Sequence, residues 1–160
     1  MTQSRVEPPL LTEEDYACVR RYAQSNFACG SLSVHGPTHW ARVERAGLVI
    51  CRENGADETV VRLFAILHDS CRLNDNDDPG HGPRAADLLG SLVDVLITID
   101  PERLALLEQA IRHHTNGFTT DDPTIGACWD ADRLDLGRVG KIPAKKYMST
   151  DLGRMRVDLI

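Results

Sequence analysis

Six histidines and a scatter of aspartates carry most of the chemistry this sequence can offer. The histidines are His35, His39, His68, His81, His113 and His114. One imidazole on an apolar face is ordinary, since a single hydrogen bond satisfies it. Several imidazoles and carboxylates that converge need each other or a cation. Imidazole and carboxylate donors without a thiolate cluster suit Mn, Fe, Zn, Ni, Co or Mg rather than a structural cysteine-zinc site. A closed structural zinc takes four ligands. Five or six candidate ligands point instead to two ions sharing a carboxylate, a pair able to activate water and clamp a displaced oxygen.

Convergence depends on the elements that hold these residues, and the pattern is helical throughout. Leu11 to Gln24 reads as a first helix with Thr12 as cap, and Pro37 to Glu53 as a second, stopped by Asn54-Gly55. A third runs from Asp57 to about Cys71, and its stretch from Val60 to Leu67 is apolar nearly all round, the mark of a buried central helix. A polar loop from Leu73 to Gly82 precedes a fourth helix opened by Pro83 and running to about Ile97. Asp100-Pro101 opens a fifth, through about His114, and Asp122-Pro123 a sixth, to about Leu136. The tail from Gly137 is weakly patterned, compatible with short turns or one small helix.

Helical phase then sorts the polar residues. His39 shares a stripe with Val43, Ala46 and Ile50, and His68 falls below Val61 and Phe64 with Asp69 directly after it. His114 follows Leu104, Leu107 and Ile111, while His113 lies on a more lateral face. Asp132 follows Ile125 and Trp129, and Asp130 is turned away from that stripe. So His39, His68, His114 and Asp132 are expected to face the core. His81 lies just ahead of Gly82-Pro83, at the positive end of the fourth helix, which disfavours imidazolium and leaves a neutral nitrogen for a metal.

His39, then His68-Asp69 closing an apolar helix, then Asp132 resembles the H…HD…D signature of the HD-domain superfamily of metal-dependent phosphohydrolases. The resemblance covers about residues 30–140 and includes the local texture of His39-Trp40-Ala41-Arg42-Val43 and Asp130-Ala131-Asp132-Arg133-Leu134-Asp135. The segments around His81-Gly82-Pro83-Arg84 and His113-His114-Thr115 resemble the additional histidines of dinuclear members, among them bacterial symmetric diadenosine tetraphosphate hydrolases. The acidic loop from Arg72 to Asp78 and Trp129 depart from those hydrolases, so their substrate does not carry over.

The resemblance implies a single all-α HD-type bundle over 1–160. His39, His68, Asp69 and Asp132 would hold one divalent ion, Asp69 would bridge, and His81 and His114 would hold the second. It also implies hydrolysis of a phosphoester or phosphoanhydride, in a nucleotide or other small phosphorylated metabolite, by attack of a metal-bound hydroxide. Arg72, Arg84 and Arg133 are the nearby cations expected to contact phosphate, since guanidinium binds phosphoryl oxygens bidentately. Arg72 and Arg133 are further expected to join Asp69 in catalysis, and His35 and His113 to approach the substrate. Two other readings use the same ligands: an HD-type di-iron oxygenase acting on a small organic substrate, and a non-catalytic nucleotide-binding HD module. No ligand of the set is missing, which weighs against the last.

Composition narrows the partners. The 160 residues carry 18 Lys plus Arg against 24 Asp plus Glu, a formal charge of -6, unsuited to duplex nucleic acid, whose nonspecific binding rests on neutralising phosphates. No apolar run approaches the ~18 residues of a membrane span, and the opening MTQSRVEPPLL lacks a secretory apolar region. The cysteines, Cys18, Cys29, Cys51, Cys71 and Cys128, are odd in number and form no CxxC pair. A reduced, cytoplasmic protein with free thiols is the expectation.

Overall fold

A computed structural model describes residues 10–160. Most of the opening segment read as lacking a secretory region lies outside the described residues. Seven α-helices form among those described: α1 Glu13–Asn26, α2 Pro37–Asn54, α3 Glu58–Leu67, α4 His81–Leu92, α5 Pro101–His113, α6 Pro123–Arg133 and α7 Asp151–Val157, with 3-10 turns at Leu136–Val139 and Lys145–Tyr147. The fold is all-α, and the only bridge among the described residues is an isolated one, Val93 to Ile97.

Local chemistry sets most of these boundaries. Thr12 caps α1 in a reciprocal capping box with Asp15, and the side chains of Asp57, Asp100 and Asp122 accept backbone N–H groups at the starts of α3, α5 and α6. Helix α2 opens on Pro37 and closes at Gly55, whose φ of 73° relieves the turn of any side-chain clash. Seven of the ten α3 residues are buried, with Val60, Val61, Leu63, Phe64, Ala65 and Leu67 at 0% exposure. Helices α1, α2, α5 and α6 pack around α3, and α4 packs on α5.

Several boundaries differ from the sequence reading: α1 lies two residues later, at Glu13–Asn26, α6 ends at Arg133 rather than near Leu136, and the larger differences are in α3 and α4. Helix α3 stops at Leu67 rather than near Cys71: the Ser70 hydroxyl donates to the Leu67 carbonyl at 2.8 Å, and the chain continues in tight turns. Helix α4 starts two residues earlier, at His81, so that Pro83 falls third in the helix, where no intrahelical N–H bond is required. It also ends earlier, at Leu92, where the chain turns back through Asp94 at a positive φ of 62° and the Ile97 N–H reaches the Leu92 carbonyl. The tail adds α7, capped by Thr150.

All five cysteines are free thiols; Cys51 and Cys128 are buried. No helix among the described residues is long and apolar enough to cross a membrane.

Candidate metal centre

Five helix ends meet at one place. His39 stands in the first turn of α2, His68 caps the end of α3, His81 begins α4, His114 caps the end of α5, and Asp132 lies in the last turn of α6. Three of these are C-terminal ends, whose partial negative charge favours a cation. Helix α3 ends at Leu67, so His68 and its neighbour Asp69 can both turn into one site. The close approach of α4 to the end of α5 depends on Gly82. A β-carbon there would stand 3.0 Å from the Ile111 and Arg112 carbonyl oxygens and 3.4 Å from the His114 ring.

The hydrogen bonds behind the rings fix their tautomers. Each Nδ1 faces acceptors alone: His39 reaches Asp135 Oδ2 at 2.7 Å, His68 the carbonyls of Phe64 and Ala65 at 3.0 and 3.2 Å, His81 the Asp78 carbonyl at 2.6 Å, and His114 the Ile111 carbonyl at 2.7 Å. Each Nδ1 therefore carries the proton, and a neutral ring presents its Nε2 lone pair. These lone pairs converge two by two. His39 Nε2 and His68 Nε2 are 3.1 Å apart, and His81 Nε2 and His114 Nε2 are 2.9 Å apart. Two lone pairs at that distance repel, whereas two nitrogens each ~2.1 Å from one ion, at right angles, stand ~3 Å apart.

Asp69 divides its carboxylate between the pairs. Oδ1 lies 2.9 Å from His81 Nε2 and 3.4 Å from His114 Nε2, while Oδ2 lies 3.5 Å from His39 Nε2 and 3.7 Å from His68 Nε2. On the first pair's side Asp132 Oδ1 adds contacts of 3.2 Å to His39 and 3.7 Å to His68, and it is buried without a hydrogen-bond donor. The donor set is thus rich in acceptors and short of protons, which fits cations. His39-His68-Asp69 and Asp69-His81-His114 each gather ligand atoms close enough to hold one.

Burial and the neighbouring groups act on these residues in opposite directions. Burial opposes ionisation of Asp69, yet the surrounding imidazoles outweigh it and hold the carboxyl well below its usual range. The same balance of burial against His39 and His68 depresses Asp132. Burial disfavours a charged His39, but Asp132 and Asp135 raise its pKa above the ordinary value.

The site floors an open cleft of about 870 Å³. His35, Asp69, His81, His114 and Asp132 reach its surface, but His39 and His68 do not. One rim is the acidic loop with Asp75, Asp77 and Asp78, and the other carries Arg133, Arg138 and Lys141. Of the residues expected at a substrate, Arg72, Arg133 and His35 line the cleft, with Arg72 Nε 3.3 Å from Asp69 Oδ1 and His35 Nδ1 3.1 Å from Asp69 Oδ2. Arg84 and His113 stand apart. Arg84 is taken up by Asp78 and the Cys71 carbonyl, and His113 pairs with Asn116.

Other polar residues emerge only in three dimensions. Asp130 is turned from the ligands, as phase requires, but it is 0% exposed. Its carboxylate accepts the N–H groups of Ser149 and Thr150 and the Thr150 hydroxyl, all within 2.8 Å. Asp135 holds His39 and pairs with Arg42 at 2.8 Å; its place three residues after Asp132 is a usable signal, because i and i+3 share a helical face. Arg138 comes from the weakly patterned tail, and no local pattern marks it.

No protein-family model matches the chain, and no curated protein matches it. Among solved structures the chain is similar to the crystal structure of a predicted HD superfamily hydrolase from an uncultured Thermotogales bacterium. The two are 23% identical over 91% of this chain and 83% of that one, with a TM-score of 0.69. The chain shares the helical fold of that structure, and within it His39, His68, Asp69, His81, His114 and Asp132 converge on one place as a cluster able to hold metal ions.

Proposed function

We propose that the protein is a hydrolase that holds two divalent metal ions and cleaves a phosphoester or phosphoanhydride bond in a nucleotide or other small phosphorylated metabolite. The observation carrying this reading is Asp69, whose two oxygens serve two separate pairs of histidine lone pairs. His39, His68 and Asp132 would hold one ion, His81 and His114 the other, and Asp69 both. When bound, the ions would supply Lewis acidity and activation of water.

The chain's own residues prepare the rest. The carbonyls behind His68, His81 and His114, and Asp135 behind His39, each accept at Nδ1, which orients the rings so that a neutral imidazole offers Nε2 to an ion. Arg72 ties Asp69 to the rim loop, donating to the carbonyls of Asn74 and Asn76 at 3.4 and 3.1 Å. Two divalent ions would exceed the charge of Asp69 and Asp132, and Arg72 and Arg138 add to that excess. A strongly positive floor in a cleft selects an anion, which favours a phosphorylated substrate over a neutral one.

The test is metal analysis of the purified chain with a phosphate-release screen over nucleotides, dinucleoside polyphosphates and sugar phosphates. About two ions per chain and metal-dependent phosphate release are expected. Failure to take up any divalent ion on reconstitution would overturn the reading, and dioxygen consumption without phosphate release would select the oxygenase.

A further inference from the structure

After α6 the chain runs through residues 134–147 along the cleft and returns to α6. Both ends of this loop are fastened there. Arg133 Nη1 donates to the Tyr147 carbonyl at 2.5 Å, and buried Asp130 accepts from Ser149 and Thr150. Arg154 adds a bond to the Met148 carbonyl at 2.9 Å. A β-carbon at Gly153 would collide with Asp130 Oδ2, so only glycine lets α7 sit this close.

The loop delivers Arg138 to the cleft, with its side chain 8% exposed. Two of its nitrogens are committed to backbone: Nε donates to the Val34 carbonyl at 3.1 Å and Nη1 to the Asp135 carbonyl at 3.0 Å. Nη2 is left aimed at the ligands, 3.5 Å from Asp132 Oδ1, 3.9 Å from Asp69 Oδ2 and 3.4 Å from His35 Nδ1. Its nearest anions are the Asp132 and Asp69 carboxylates themselves; once those face an ion, the guanidinium is repelled by it unless a further anion lies between them.

We propose that Arg138 anchors the substrate's anionic group, its Nη2 edge binding a phosphoryl oxygen above the site of His39, His68 and Asp132. This rests on the hydrolase reading and adds a residue to it. Arg138 is held from a separate segment, so its loss takes a charge-assisted bond from the anion while every metal ligand stays in place.

The experiment is calorimetric titration of inorganic phosphate into the chain reconstituted with Mn, with metal content measured on the same samples. Arg138→Ala is expected to retain the unaltered chain's ions and to weaken phosphate binding roughly 10- to 100-fold, the range of a lost charge-assisted hydrogen bond. Arg138→Lys, which keeps the charge but not the fork, is expected to fall between. Phosphate affinity within twofold of the unaltered chain would overturn the inference and leave the hydrolase reading standing. Loss of metal in both variants would make Arg138 a support for Asp132 instead, again overturning it. Failure of the unaltered, metal-loaded chain to bind phosphate would overturn both readings.

Discussion

The two histidine pairs are built alike and anchored differently. His39 and His68 have ring centroids 5.1 Å apart at 70°, and His81 and His114 4.8 Å apart at 68°. The first pair is sealed from the cleft, gains Asp132 as a further oxygen donor, and has a carboxylate behind one ring. The second sits at the cleft surface on the first residue of α4 and the cap of α5, has only carbonyls behind its rings, and shares Asp69 Oδ1 with the Arg72 cation. The pairs therefore differ less in ring geometry than in the extra oxygen of Asp132 and in what stands behind each ring. On the proposed reading, the first pair would hold its ion the more firmly, and the second would be the side open to substrate.

Changes at the shared ligand should erase this contrast. Asp69→Ala takes an oxygen from both pairs, so metal content should fall on both sides and turnover should vanish. Circular dichroism should still report the helical bundle, because the core rests on Val60, Leu63, Phe64 and Leu67. An Asp69→Ala chain with two ions and unaltered phosphate release would end the dinuclear reading. Changes on one side should sharpen the contrast. His81→Ala or His114→Ala should leave about one ion per chain by metal analysis, and chelator should strip the unaltered chain in two phases, the cleft-side ion first. His113→Ala should leave metal content unchanged; a larger loss there than at His114 would refute the tautomer-based assignment. Among the groups that support the site, the smaller effect is expected behind the ring. Asp135→Asn should weaken the first site by roughly 10- to 100-fold in metal affinity, read by competition with a fluorescent chelator, and leave the second untouched.

Much of this contrast is visible in the sequence because it is local. Capping aspartates, prolines at helix starts and apolar stripes mark helices within a few residues, and phase alone turns His39, His68, His114 and Asp132 inward. What escapes is set by distant contacts. The early end of α3 depends on a serine hydroxyl competing for one carbonyl. The burial of Asp130 depends on backbone N–H groups some twenty residues away, and a helical wheel shows only that it faces elsewhere. Arg84 and Arg138 are equivalent as letters. One is consumed by Asp78, and the other is held over the site by carbonyls from two segments.

The fastening of the loop at Asp130 changes where this protein can be cut. A chain trimmed after residue 133 would keep all six residues proposed to hold metal, but not Asp135, the acceptor behind His39. It would also bare the Asp130 carboxylate, uncover Arg133 and remove one wall of the cleft. Asp130 would lose three hydrogen-bond donors at once and turn from a buried, satisfied carboxylate into an exposed one. Such a fragment should express poorly or bind metal without binding phosphate. For anyone designing shorter versions or fusions, the unit to preserve therefore extends through α7, past the point where the recognisable motif stops.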